Sequence, residues 1–152
     1  MISLYKPQYR DLWFRQVLLA DPETMAYNQA WGGAIDFAKD DWADWYACWV
    51  ESGDRYYRYV QDESGTFVGE IAYHYDEELA GYVANVIIYA RYRGQGYGGK
   101  ALDALCEQAK RNGITTLYDD IAIDNGAIAL FVRHGFAEVA RTEDKIILAK
   151  TL

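Results

Sequence analysis

The sequence predicts an α/β (α+β) fold: one domain, residues 1–152, built on a mixed central sheet flanked by helices, in the order β-α-α-β-β-β-α-β-α-β-β. Three observations predict it. In the second half a β-branched run, Val86-Ile87-Ile88, is followed by apolar residues at helical spacing, Ala101, Leu102, Leu105 and Ala109. In the middle, two strand-like runs flank the turn Asp62-Glu63-Ser64-Gly65 and read as a hairpin. The chain of 152 residues, 51% apolar and 16% aromatic, is long enough for a single core and shows no repeat, linker or low-complexity segment.

Residues 2–6 read as a short first strand. Pro7 is placed to begin a helix with Leu12, Trp13, Val17 and Leu18 as its apolar face, ending near Ala20. Asp21-Pro22 starts a second stretch, interrupted by Gly32-Gly33. In residues 40–52, Trp42, Trp45 and Trp49 fall at i, i+3 and i+7, a stripe that reads as core packing. Asp40 or Asp41 is placed to cap this helix and Gly53 to end it.

Residues 55–61 and 66–75 form the hairpin. Its second strand puts Phe67, Gly69, Ile71, Tyr73 and Tyr75 on one side and Val68, Glu70, Ala72 and His74 on the other. Glu70 and His74 thus share a face that reads as solvated, with acid–base work as the alternative. Residues 82–90 form the central strand. The helix that follows runs to Asn112-Gly113, with Lys110 and Arg111 in its last turn, where the dipole favours cations. Residues 114–121 are the next strand, 125–134 a short helix, and 136–141 and 145–149 two closing strands.

Composition removes several functional classes. A net charge of −8 argues against a nucleic-acid partner, which requires a basic face; it suits a cationic acceptor, or serves solubility alone. No apolar run approaches the roughly 20 residues that span a bilayer, so no membrane partner is expected. The start, MISLYKPQYRDLW, lacks an apolar signal-peptide core, and the expected location is cytoplasmic. Cys48 and Cys106 lie in helix-like stretches without CxxC spacing and read as free, mostly buried thiols; neither a redox nor a metal site is expected.

The central strand meets the cluster Gly94, Gly96, Gly98 and Gly99 before the next helix begins. Such a strand–loop–helix junction aims backbone N–H groups and the positive end of the helix dipole at one point, and its glycines let a ligand approach the backbone: a pyrophosphate cradle. Three phosphate-binding families compete for it. Gly94 to Lys100 satisfies GxxxxGK, but Ala101 stands where a P-loop NTPase needs a hydroxyl for magnesium. Gly94, Gly96 and Gly99 satisfy GxGxxG, with Asp119 or Asp120 at a distance to hold a ribose. Against this dinucleotide-binding module, the glycines begin several residues after the strand and too little chain follows for a second half.

The third fits better. Arg93-Gly94-Gln95-Gly96-Tyr97-Gly98 resembles the Arg/Gln-x-x-Gly-x-Gly/Ala acyl-CoA-binding motif of the GNAT superfamily of N-acetyltransferases, and DNGAIALFVRHGF resembles that superfamily's next motif. The match spans residues 83–136. The resemblance implies a GNAT-like fold, acetyl-CoA as co-substrate and acetyl transfer to a primary amine of a small molecule or peptide; a homodimer stays open. It also implies that Ile88, Arg93, Gly94, Gln95, Gly96, Tyr97, Gly98, Gly99, Asn125 and Phe131 lie along CoA. In similar transferases the region between the first two strands sets acceptor specificity, which singles out Tyr27, Asn28, Trp31 and Phe37; packing of a satellite core is the other reading of these residues.

Direct attack needs a deprotonated amine, stabilisation of the oxyanion and a proton for the departing thiolate. The resemblance assigns the oxyanion to a backbone N–H near Ile88. For the base we single out the consecutive carboxylates Asp119 and Asp120, of which strand geometry lets only one face the site. Two departures from the family pattern stand out. Phe131 occupies the position of the tyrosine that protonates the thiolate, leaving water, Tyr89, Tyr92 or Tyr118 to substitute, and motivating the alternative of a non-catalytic acyl-CoA-binding sensor. The asparagine position precedes Ala127-Ile128 by one residue fewer than usual, so Asp124 or Asn125 fills it.

Overall fold

The computed structural model describes residues 1–152 apart from the side chains of Ala30 and Trp31. Its strands are β1 (Ser3–Tyr5), β2 (Tyr56–Gln61), β3 (Phe67–Asp76), β4 (Gly81–Ile88), β5 (Thr116–Ala122), β6 (Ala137–Arg141) and β7 (Lys145–Thr151). Its helices are α1 (Leu12–Ala20), α2 (Trp42–Tyr46), α3 (Tyr97–Arg111) and α4 (Ala127–Arg133). The strands form one seven-stranded mixed sheet in the order β1-β2-β3-β4-β5-β7-β6, antiparallel except for the parallel pair β4–β5. No helix among the described residues is long and apolar enough to cross a membrane.

Each face of the sheet carries one helical layer. On one, Ala101, Leu102, Leu105 and Ala109 of α3 and Phe131 of α4 bury against Ile71, Ala84, Leu117, Ile121 and Leu148. On the other, Phe14 and Leu18 of α1 and Val50 beyond α2 cover Tyr57, Tyr59, Ala72 and Ile87. The tryptophan stripe packs as expected: Trp42 is buried, and Trp45 and Trp49 stack 6.4 Å apart.

Several local expectations change. Residues 9–11 form a 3-10 turn ahead of α1, closed where the Asp11 carboxylate accepts the Gln8 N–H at 2.9 Å and the Tyr5 hydroxyl at 2.7 Å. The buried face of α1 is Leu12, Phe14, Leu18 and Leu19, which leaves Trp13 and Val17 exposed. After α2 the chain widens into a π-turn over Ala47–Glu51, and Cys48 is exposed while Cys106 is buried. Asp41 makes no side-chain cap on α2, whose first turn is preceded by the 3-10 segment Lys39–Asp41. A bulge at Val60/Gln61 swaps two positions of β3: Val68 joins the α3 layer and Phe67 the α1 layer.

Candidate active site

The parallel strands β4 and β5 pair only at Tyr82–Leu117 and Val83–Tyr118. Beyond these two pairs a cavity of about 920 Å³ opens between them, walled by Asn85, Val86, Ile87 and Ile88 on one side and Asp119, Asp120, Ile121 and Ala122 on the other. Tyr89 donates its N–H to the Val68 carbonyl, so Tyr89, Ile87 and Asn85 are the residues whose backbone groups face β3. By alternation, Ile88 and Val86 turn their N–H and C=O toward the cavity, the Ile88 carbonyl accepting from Arg93 there. The splay therefore exposes a row of strand donors and acceptors that a full ladder would consume.

The glycine loop closes one end. Gly94 and Gly96 take φ of +80° and +85°, a left-handed conformation in which a side chain is strained. The first backbone bond of α3 runs from the Lys100 N–H to the Gly96 carbonyl, so the N–H groups of Tyr97, Gly98 and Gly99 precede it and have no intrahelical acceptor. The other two glycines serve packing. A Cβ on Gly98 would lie 3.2 Å from Leu130 of α4, and one on Gly99 only 2.7 Å from the ring of His134. That ring is further held by Asp103 at 2.8 Å, a structural role.

Of the residues implied for CoA, Ile88, Arg93, Gly94, Gly96, Tyr97, Gly98, Gly99, Asn125 and Phe131 line the cavity. Gln95 does not; it borders a separate shallow depression with Asp62 and Lys100. The Arg93 guanidinium is spent on the protein itself, donating to the carbonyls of Ile88 (3.2 Å), Thr24 (2.9 Å) and Glu23 (3.4 Å). The Thr24 hydroxyl in turn accepts the Ala90 N–H at 2.9 Å. Together these bonds tie the segment after α1 to the end of β4, a link the sequence did not reveal because its acceptors are main-chain carbonyls some 70 positions away. Asn125 accepts the Ala127 N–H at 2.9 Å and so caps the start of α4.

Asp119 and Asp120 both wall the cavity, against the expectation that only one could. Their side chains do leave β5 on opposite faces, but the cavity passes through the sheet at the splay and meets both. Asp120 pairs with Lys145 at 3.0 Å, and that hydrogen bond, then the Asp120 charge, raises the Lys145 pKa. Asp119 accepts the Asp120 N–H at 2.8 Å; burial pushes its pKa up to about 8, against that hydrogen bond and with the Asp120 charge adding. Asn85, Leu130, Arg133 and Lys145 also line the cavity and carried no sequence signal of their own.

Among the acceptor candidates, Tyr27 and Asn28 line the same cavity. Burial, then the Glu70 charge, raises the Tyr27 hydroxyl to about 12. Trp31 lies outside the described residues. Phe37 is a core residue: it is buried with Leu12, Leu19, Met25 and Trp42, stacked at 6.0 Å on Trp42. Glu70 is fully buried instead of solvated, because α1 covers its face and Arg15 donates to both its oxygens at 2.6 Å. His74 packs against Trp49 at 5.3 Å, with its pKa lowered by burial and then by Arg55. Neither Glu70 nor His74 lines the cavity. Of the tyrosines considered as acids, only Tyr92 does; Tyr89 packs by Phe14 in the α1 layer, and Tyr118 lies against Gly81.

A family model described as "Acetyltransferase (GNAT) family" matches residues 11–136. No curated protein matches the chain in sequence. Solved structures share its fold. Spermidine N-acetyltransferase from Vibrio cholerae, solved with CoA and spermine, superposes with a TM-score of 0.82 at 17% identity, covering 99% of this chain and 95% of that one. For ribosomal-protein-alanine N-acetyltransferase from Brucella melitensis the values are 0.75 and 21%, with 100% and 99% coverage. An N-acetyltransferase from Staphylococcus aureus Mu50 gives 0.78 and 16%, with 99% and 98% coverage.

Proposed function

The chain belongs to the GNAT acetyltransferase family, and from that premise we propose that it is an N-acetyltransferase carrying the acetyl group of acetyl-CoA directly to a primary amine of a small molecule or peptide. Residues 1–152 act as one acetyltransferase domain. The observation that carries the reading is the glycine loop opening onto the β4–β5 splay: N–H groups suited to an anion at one end, a cavity lined by strand donors behind them. A Cβ on Gly94 or Gly96 meets no protein atom within 4 Å, so the glycines are there for conformation and for whatever approaches from outside.

Bound acetyl-CoA supplies a thioester carbonyl open to attack by an amine. The N–H groups of Tyr97, Gly98 and Gly99 hold its pyrophosphate, and Asn125, Leu130 and Phe131 border its arm. Ile88 offers an N–H to the developing oxyanion from a strand position held on its other side by β3. Asp120 and Asp119 are the carboxyl groups placed to manage protons, and Tyr27 and Asn28 bound the acceptor side. An alkyl ammonium must lose a proton before attack, and the Asp120 carboxylate is the acceptor for it, directly or through water.

Thermal shift with acetyl-CoA, NADH and Mg-ATP tests the reading. Acetyl-CoA at a hundred times its dissociation constant stabilises by about 2.7 kcal/mol; a shift with NADH or ATP and none with acetyl-CoA overturns the family's cofactor here. Phe131 keeps the acyl-CoA-binding sensor as a second reading. Release of CoA thiol that depends on an added amine eliminates it.

A further inference from the structure

We propose that Asp119 is the acid of this site, the group that protonates the departing CoA sulfur in place of the hydroxyl that Phe131 lacks. The proposal rests on the acetyltransferase reading above. Asp119 shares strand parity with Leu117 and Ile121, which are buried beneath α3 and α4, and its register partner Leu148 is buried in the same layer. Its side chain therefore leaves β5 on the face where α4 carries Phe131, and both residues line the one cavity. Asp120 and Tyr118 leave on the opposite face.

The carboxyl is set up to hold a proton. Its Oδ1 accepts the Asp120 N–H at 2.8 Å, a bond that favours the charged form but is outweighed by burial, and Oδ2 is left to carry the hydrogen. Among the described residues no cation pairs with it, whereas Asp120 takes Lys145. Besides Asp120 and Lys145, the charged or titratable groups that share the cavity with it are Arg93 in the glycine loop, Tyr97 at the start of α3, Arg133 on α4, Tyr92 and Tyr27. With a pKa of about 8 the group is mostly protonated at neutral pH and sits close to a thiol, which ionises near 8.5, so proton transfer to sulfur is matched. Tyr27, at about 12, holds its proton far more tightly than a thiol does. Asp119 with its proton and Asp120 paired with Lys145 divide acid from base.

The balance is as follows. The amine lone pair forms the N–C bond, the C–S bond breaks with its electron pair on sulfur, and Asp119 Oδ2 delivers the proton to that sulfur. The Asp120 carboxylate, having passed the ammonium proton on to solvent, takes the proton shed by the attacking amine, and solvent carries a proton back to Asp119 before the next turnover.

The decisive variant is Asp119→Asn, which keeps the shape and removes the acid. Thermal shift with acetyl-CoA is measured first: binding by both proteins shows that the site is intact, and no binding by the wild type refutes the acetyltransferase reading and this proposal together. Given binding, we expect kcat to fall about 10²- to 10⁴-fold with KM for acetyl-CoA unchanged. The wild-type loss of kcat above pH 8 should vanish with it. Without any ligand, the infrared difference between wild type and variant should contain a protonated-carboxyl band at pH 6.5 that is gone by pH 9.5. An active variant that retains the alkaline limb, a band absent at pH 6.5, or loss of that limb in Tyr92→Phe in place of Asp119→Asn overturns the assignment while leaving the acetyltransferase reading intact.

Discussion

Replacing Arg15 by Met should destabilise the protein by about 3–5 kcal/mol at pH 7, the cost of leaving a buried charge without its partner. Glu70 has no exposed surface, and the Arg15 side chain, 17% exposed, donates to both its oxygens. The guanidinium also lies 4.3 Å from the Trp45 ring and 5.1 Å from that of Phe37, contacts a methionine partly replaces. Most of the loss is therefore electrostatic. Urea unfolding at pH 7 measures this. The double variant Arg15→Met/Glu70→Leu removes both charges and should recover most of the loss. A single-variant loss below about 1 kcal/mol at pH 7, or one that the double variant does not recover, refutes the argument that the pair is a desolvated one.

Three further outcomes follow from named contacts. Gly96→Glu should abolish acetyl-CoA binding, whereas Gly113→Glu, at the same φ of +85° but at the far end of α3, should pay a similar strain of about 1–2 kcal/mol and still bind; equal affinity in the two variants, by titration calorimetry, contradicts the loop assignment. Wild-type stability should decline by up to about 1.4 kcal/mol per pH unit between pH 4 and 8, because folded Asp119 keeps a proton that the unfolded chain loses; Asp119→Asn should flatten that decline, and parallel urea curves contradict it. Gly99→Val should cost about 1–3 kcal/mol in thermal or urea unfolding, since a Cβ would stand 2.7 Å from His134 and displace the ring from Asp103; an unchanged midpoint contradicts that packing.

The element order was legible because hydrophobic period changes along the chain: alternation in residues 67–75, helical spacing in residues 101–109, β-branched runs between. The glycine loop was legible as a cluster, but not the division of labour within it. Gly94 and Gly96 answer to backbone conformation, Gly98 and Gly99 to Leu130 and His134 on a helix some 30 positions later, and only tertiary packing separates the two. Glu70 was misread for the same reason. Alternation assigns it a face, but that the face is roofed by α1, with Arg15 at 55 positions' separation, is a property of the layer and not of the strand. For Phe37 the sequence leaves acceptor contact and satellite core both open, because its segment has no period; the contacts of Leu12, Leu19 and Met25 decide for the core.

The Asp119–Asp120 pair is where local geometry and topology part company most usefully. Strand alternation correctly sends the two carboxyl groups to opposite faces. It does not follow that one of them is lost to the site, because β4 and β5 separate after two residue pairs and the cavity crosses the sheet between them. Opposite faces then become opposite environments. Pairing of Ala122 with Lys145 brings an ammonium to Asp120, while Asp119 enters the layer of Leu117, Ile121 and Leu148, where its hydrogen bond is to the Asp120 N–H. A carboxyl kept there costs stability at neutral pH that an asparagine would spare. Evolution tolerates such a cost where a site needs the group, and that is the reason to look for the proton of Asp119 before any other in this cavity.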